Sequence, residues 1–278
     1  MNGGYSEVVK TARDYYNSED ADNFYFHIWG GEDIHIGLYQ AEDEPIAAAS
    51  RRTVEKMAAR LPALGSDAHI LDIGSGYGGA SRYLAQRFGC KVTALNLSEK
   101  ENVRNREMCE GAGLASQITV VDGSFEEIPL ANESVDAVWS QDAILHSGRR
   151  EQVVAEVARV LKPGGHFLFT DPMESGDCSR SDLQPVLERI HLQNLGSPRF
   201  YAGAAAASGL KLVSWIDLTP QLVRHYARVA EELEAQRSSL KGKVSDDYIA
   251  RMLKGLSAWV TAGQRGCLAW GILHFRKP

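Results

Sequence analysis

A chain of 278 residues, 44% apolar and 24% charged, is long enough to bury one large core, or a core with a lid, and has the balance of an ordinary globular protein. Its net charge of −6 offers no basic face for nucleic acid and no attraction to anionic lipid, so neither is expected as a partner. Cys90, Cys109, Cys178 and Cys267 are far apart and form no CxxC pair, which points to buried reduced thiols and away from a zinc site or a disulfide framework.

The first twenty residues carry charges where a signal peptide needs an apolar run, and no stretch reaches the length of a membrane span, so a cytoplasmic protein is expected. Residues 1–66 are read as an N-terminal helical lid over a core spanning 67–278. The lid holds an aromatic stretch with Tyr15, Tyr16, Phe24, Tyr25, Phe26, Trp29, His35 and Tyr39, and then a helix-like run, PIAAASRRTVEKMAARL.

From residue 69 apolar runs alternate with helical periods. HILDIG (69–74), KVTALNL (91–97), ITVVDG (118–123) and VDAVWSQD (135–142) read as strands, each followed by helical or turn material. REQVVAEVARVL is a helix, and the turn KPGG leads into a fifth strand, HFLFTDPM. Strands joined by crossover helices imply a parallel sheet with helices on both faces. Helical insertions are expected near 173–208 and 220–262. LKLVSWIDLT is a sixth strand, and CLAWGILHFRK a seventh, expected as an antiparallel edge strand.

Asp72-Ile73-Gly74-Ser75-Gly76-Tyr77-Gly78-Gly79 lies where the first strand ends and a helix begins. Glycines there let a ligand approach the backbone. Gly74, Gly76 and Gly79 match GxGxxG, the dinucleotide pattern. Asp72, Gly74, Gly76 and Gly78 match DxGxGxG, the S-adenosylmethionine loop. Three features favour the second. Asp72 suits the cationic amino-acid end of that cofactor. The second strand closes on Asn96-Leu97, where an NAD site wants an acid for the ribose. A long segment precedes the loop. The fold class that follows is α/β, a class I methyltransferase Rossmann-like seven-stranded sheet with the N-terminal lid and a C-terminal helical insertion.

Candidate cofactor contacts are Asp72, Gly74, Gly76 and Gly78 in the loop, and Asn96 and Leu97 at the ribose. Asp122, Gly123 and Ser124 would form an adenine corner, although Asp122 also reads as a helix N-cap. Gln141 faces the sulfonium end. No metal-ligating cluster is present. The aromatic stretch reads either as packing or as a cage for a cationic amine, with Tyr25, Trp29 and His35 as substrate contacts. His146 reads as a base for the substrate ammonium or as a packing histidine. Arg224 and Tyr226 read as a carboxylate clamp or as a solvated helix face.

The segments FYFHIWGGEDIHIGLY, EPIAAASRRTVE, GYGG, CKVTALNLSE, VVDGSFEEIP, VWSQDAILHS, FTDPM, RIHL, RHYARV and WVTAGQRGCLAWGILHFRK resemble the sarcosine/dimethylglycine N-methyltransferases. The resemblance implies methyl transfer from S-adenosylmethionine to a small amino acid, sarcosine or dimethylglycine. The products would be dimethylglycine or glycine betaine, with S-adenosylhomocysteine. By analogy with wider relatives, Tyr16 and the Ile36-Gly37 turn would close over the cofactor. Another small acceptor, such as phosphoethanolamine or a lipid, stays open, as does an NAD-dependent oxidoreductase. Homodimer and monomer are both open.

Overall fold

In the computed structural model, which describes residues 7–190 and 192–278, helices α1 (Glu7–Tyr16), α2 (Glu19–Ile28) and α3 (Ile46–Ala58) precede the sheet. The first six residues of the expected lid, and residue 191 in the RIHL segment, lie outside the described residues. The core then runs β1 (His69–Ile73), α4 (Gly79–Phe88), β2 (Lys91–Asn96), α5 (Glu99–Gly111), β3 (Ile118–Asp122), β4 (Val135–Gln141), α6 (Arg150–Val160) and β5 (Leu161–Thr170). It continues through β6 (Met173–Glu174), α7 (Arg180–Arg189), α8 (Pro198–Ala207), β7 (Lys211–Asp217), α9 (Thr219–Ala235), α10 (Asp246–Gln264), β8 (Leu268–Ala269) and β9 (Gly271–Arg276).

The main sheet has the order β3-β2-β1-β4-β5-β9-β7. Its first five strands pair in parallel. The order reverses at β1, whose neighbours are β2 and β4, and this reversal opens a crevice beyond the strands' carboxyl ends. Strand side chains alternate between two cores. Leu71 and Ile73 join α6 and α8 on one face, whereas Ile70 joins α3 and α4 on the other.

Three expectations need correction. The last strand is not at the edge: β9 lies antiparallel between β5 and β7. Its residues are buried from Gly271 to Phe275, as a strand covered on both faces requires. β7 takes the edge, with Leu212 and Val213 half-exposed. The KPGG turn is also part of β5, as an irregularity in its pairing with β4 between Val135 and Ala137. Finally, Cys178 and Cys267 form a disulfide with Cα atoms 5.1 Å apart, although 89 positions separate them. Cys90 and Cys109 remain buried free thiols.

The insertions divide by task. α8 covers the sheet, with Tyr201 and Ala205 in its core. Helices α2, α7, α9 and α10 build a third hydrophobic cluster around Phe24, Leu187, Leu222, Trp259 and Trp270. The segment 220–262 is therefore two helices, the second capped by Ser245 Oγ accepting from Tyr248 N–H. The disulfide joins the residue before α7 to the one closing α10, so it staples this cluster.

Closing a loop of 89 positions restricts the unfolded chain by about 4 kcal/mol. Cys178→Ser is expected to lower the melting temperature by roughly 10 °C. A reductant should lower the wild-type value comparably and leave the variant unmoved in a thermal melt.

Candidate active site

The loop after β1 turns at Gly74, whose φ of +72° is left-handed and whose absent Cβ would stand 2.3 Å from the Ala143 Cβ. Gly76 packs against Ile34, while Gly78 caps α4 and faces Asn105 behind the loop. Tyr77 is fully buried and donates its hydroxyl to Asp22 Oδ1 at 2.9 Å, fixing α2 to the loop. Arg104 gives Asp22 two further bonds, of 2.9 and 2.6 Å.

Above this loop lies a cavity of about 740 Å³. Tyr16, Tyr25, Gly74, Gly76, Asn96, Leu97, Ser124, Gln141 and His146, all predicted, line it together. Ile34, Glu101, Phe125 and Asp142 line it as well. A second recess of about 300 Å³ shares Ile34, Gly74 and Gln141, and adds Asp33, His35, Asp72 and Ser75. Its walls hold buried polar atoms with no partner: Asp33 Oδ1, His35 Nε2, Ser75 Oγ and Gln141 Nε2. Acceptors beside donors suit a zwitterionic amino-acid group, and 740 Å³ suits a nucleoside. This donor set fits S-adenosylmethionine.

Asp72 accepts from Ser81 Oγ at 2.6 Å, and burial pushes its carboxyl up to about 7. At the ribose position Asn96 does not stand alone: its Nδ2 donates to Glu101 Oε2 at 2.8 Å. Burial raises Glu101 to about 7. Sequence reasoning missed this acid. Ser98-x-x-Glu101 reads as a capping box, and Ser98 Oγ does accept from Glu101 N–H at 3.2 Å. The carboxylate, however, turns to Asn96 and the cavity.

Asp122 is placed elsewhere. Its carboxylate accepts from Asn102 Nδ2 at 2.9 Å and from Arg106 Nη2 at 2.5 Å, and it is absent from the cavity wall. Gly123 donates its N–H to Asn96 O at 3.0 Å, which leaves Ser124 and Phe125 as the residues of that corner facing the cavity. Ile36 is buried, with its N–H on Asp142 Oδ2 at 2.7 Å. Gly37 abuts α3 and donates to His225 Nδ1 at 3.1 Å. Ile34, two positions earlier, is the side chain that reaches the cavity. Asp142 holds this segment from a left-handed φ of +52°, and also accepts from Trp270 Nε1 at 2.7 Å.

His146 Nε2 and Tyr16 Oη are 2.8 Å apart. The short turn carrying His146 is fixed by Asp171, which accepts from Leu145 N–H at 2.9 Å, and by Arg150, which donates to Leu145 O at 2.7 Å. Burial, with Arg150 and Arg189 nearby, pulls the imidazole down to about 4, so it is neutral near pH 7. Trp29 stands behind Tyr25, ring centroids 5.2 Å apart, and Tyr226 behind Trp29 at 5.9 Å. Arg224 is not brought to the cavity; its guanidinium lies over Tyr39, 5.6 Å from the ring centroid.

Residues 71–169 match the methyltransferase domain family. The sarcosine/dimethylglycine N-methyltransferase of Halorhodospira halochloris is 54% identical over 98% of this chain and 97% of its own. The dimethylglycine N-methyltransferase of Parasynechococcus marenigrum is 50% identical over 96% and 95%. This chain belongs to the sarcosine/dimethylglycine N-methyltransferase family. A crystal structure from Galdieria sulphuraria, assigned as a sarcosine dimethylglycine methyltransferase, is 44% identical. It superposes with a TM-score of 0.90 over 95% of this chain and 98% of its own.

In this N-methyltransferase Asp72 keeps its proton up to about pH 7 when no cation faces it. An ammonium ligand favours the charged carboxylate, so binding releases a proton below that pH. S-adenosylhomocysteine is therefore expected to bind more tightly at pH 8 than at pH 6. Asp72→Asn should weaken binding roughly tenfold or more and flatten part of this slope, as calorimetry in buffers of different ionisation enthalpy would show.

Proposed function

We propose that the chain transfers a methyl group from S-adenosylmethionine to the amine of sarcosine and of dimethylglycine, giving dimethylglycine and glycine betaine. One observation carries this reading: the glycine-loop cavity ends on Tyr16 and Tyr25, with His146 hydrogen-bonded to Tyr16.

Bound S-adenosylmethionine supplies an electrophilic methyl on a sulfonium leaving group. Asp33 and Asp72 would hold its ammonium, Ser75 and Gln141 its carboxylate, and Asn96 with Glu101 its ribose. Leu97, Ser124 and Phe125 would enclose the base. What the chain must do for the acceptor is position it and take a proton, since only the free amine is a nucleophile. His146 is suited to the second task, because burial keeps it neutral and its Nε2 meets the cavity through Tyr16.

The rings suit the first. The Tyr16 and Tyr25 centroids are 5.6 Å apart, and Tyr25 is backed by Trp29. Aromatic faces attract a cationic nitrogen whether or not it carries N–H bonds. A carboxylate cage would grip a dialkylammonium and lose its hydrogen bonds to a quaternary product.

The N-terminal segment acts as a lid. Arg13 pairs with Glu99, and Asn17 accepts from Ser98 Oγ at 2.8 Å, so α1 is latched across the ribose end of the cavity. The latch is ionic: Arg13 holds the Glu99 carboxyl down at about 2.

The test is incubation with methyl-labelled S-adenosylmethionine and, separately, sarcosine, dimethylglycine and phosphoethanolamine. Transfer to the two amino acids is expected, and transfer to phosphoethanolamine alone would overturn the assignment. His146→Ala should lower kcat about a hundredfold with S-adenosylhomocysteine affinity within a few fold of wild type. Steady-state kinetics alongside calorimetry separates the two effects.

A further inference from the structure

We propose that Arg189 binds the carboxylate of the methyl acceptor. This rests on the acceptor being an amino acid, as argued above.

Arg189 closes α7, and its stem lies in a hollow against Gly255 of α10. A Cβ at Gly255 would stand 2.4 Å from Arg189 Cδ and 2.7 Å from Cγ. A glycine in a helix interior weakens that helix, and here it makes room for the arginine. The guanidinium carbon lies 5.5 Å from the centroid of the Tyr226 ring. Its Nε is buried without a hydrogen-bond partner. No Asp or Glu among the described residues forms an ion pair with it. A guanidinium seated among rings with no counter-ion is costly unless a ligand brings one.

The other arginines near the site are engaged. Arg13 pairs with Glu99. Arg150 spends its terminal nitrogens on Asn194 and on Leu145 O. Arg224 stacks on Tyr39.

Position agrees. Arg189 reaches the floor of a groove between α1, α7 and α10, together with Tyr15 and Tyr248. Acidic residues of that groove, Asp14, Glu19, Asp20 and Glu188, stay out of ion-pairing reach of it. The Tyr15 hydroxyl lies 3.0 Å from that of Tyr248 and 3.3 Å from that of Tyr25, whose ring lines the cofactor cavity. A single layer of tyrosines thus separates Arg189 from the place where the methyl is transferred. An N-methylglycine has its carboxylate one carbon from its nitrogen. It can put the nitrogen against Tyr16 and Tyr25 and its carboxylate on the guanidinium, with a small shift of Tyr15. The fork geometry of arginine suits a bidentate carboxylate.

The experiment compares glycine betaine with choline, which has the same quaternary head and no carboxylate. Both are titrated by calorimetry into protein saturated with S-adenosylhomocysteine. Arg189→Gln is expected to weaken glycine betaine about a hundredfold and choline less than threefold. The KM for dimethylglycine should rise by a similar factor, more than kcat falls. Arg189→Lys keeps the charge without the fork and should recover part of the loss, and it serves should the glutamine variant not fold. Unchanged betaine affinity in both variants, or equal losses for betaine and choline, would overturn the role of Arg189. Wild-type protein that methylates neither amino acid would overturn the substrate reading beneath it instead.

Discussion

Asp22 is the tie that makes the site one body. Burial works to raise its carboxyl, yet hydrogen bonds from Arg104 and Tyr77 hold it below the usual value. It therefore stays charged where few charges are tolerated. Tyr77 belongs to the glycine loop, Arg104 to α5 and Asp22 to α2, so one carboxylate fixes the angle between loop, ribose-side helix and N-terminal helices. Removing one partner of such a buried pair typically costs about 3–5 kcal/mol. The wall carrying Tyr16 and Tyr25 is set against the glycine loop by this knot, and the cavity between them inherits its dimensions.

Around that frame the charges are arranged for a guest. Asp72 and Glu101 are both raised to about 7 by burial, and neither has a cation of the protein to neutralise it. His146 is depressed for the same reason with the opposite sign. Groups pushed away from their charged forms give the strongest response to a ligand that supplies the missing charge or hydrogen bonds. Backbone strain gathers at the same place: Asp142 is held left-handed while accepting from Ile36 and Trp270. That residue joins the strand end, the N-terminal segment and the loop before β9.

Much of this was legible in the sequence because the signals are local. A loop of alternating glycines after a short apolar run must be a strand-to-helix turn, and Asp72, Gly74, Gly76, Asn96, Ser124 and Gln141 lie on strand ends or the turns beyond them. What was not legible depends on pairing across distance. Nothing local to GILHFR says that another strand lies outside it; only burial on both faces does. Cys178 and Cys267 lack near spacing, yet the two helices between which they lie return to one point. Asp122 carries the acid expected of an adenine corner, but Arg106 and Asn102 of α5 claim it first. Arg224 and Arg189 are alike in sequence. What distinguishes them is that Arg224 lies over Tyr39, whereas Gly255 leaves a hollow for Arg189.

The aromatic stretch shows how packing and chemistry share residues. Phe24, Trp29, Tyr226 and Trp259 are core of the third cluster. Tyr16 and Tyr25 are the rim of that same cluster where it meets the cavity. Packing readings and ligand readings of these residues are therefore not rivals. A ring face attracts a cation only if its partner rings keep it from rotating and water from competing, and both follow from burial. The attraction depends on the charge and not on the number of N–H bonds. One rigid set of rings can accept an acceptor nitrogen bearing one, two or three methyl groups without rearrangement. A family that methylates the same nitrogen more than once needs a site of this kind. The stiffness of the third cluster, stapled by Cys178–Cys267, supplies it.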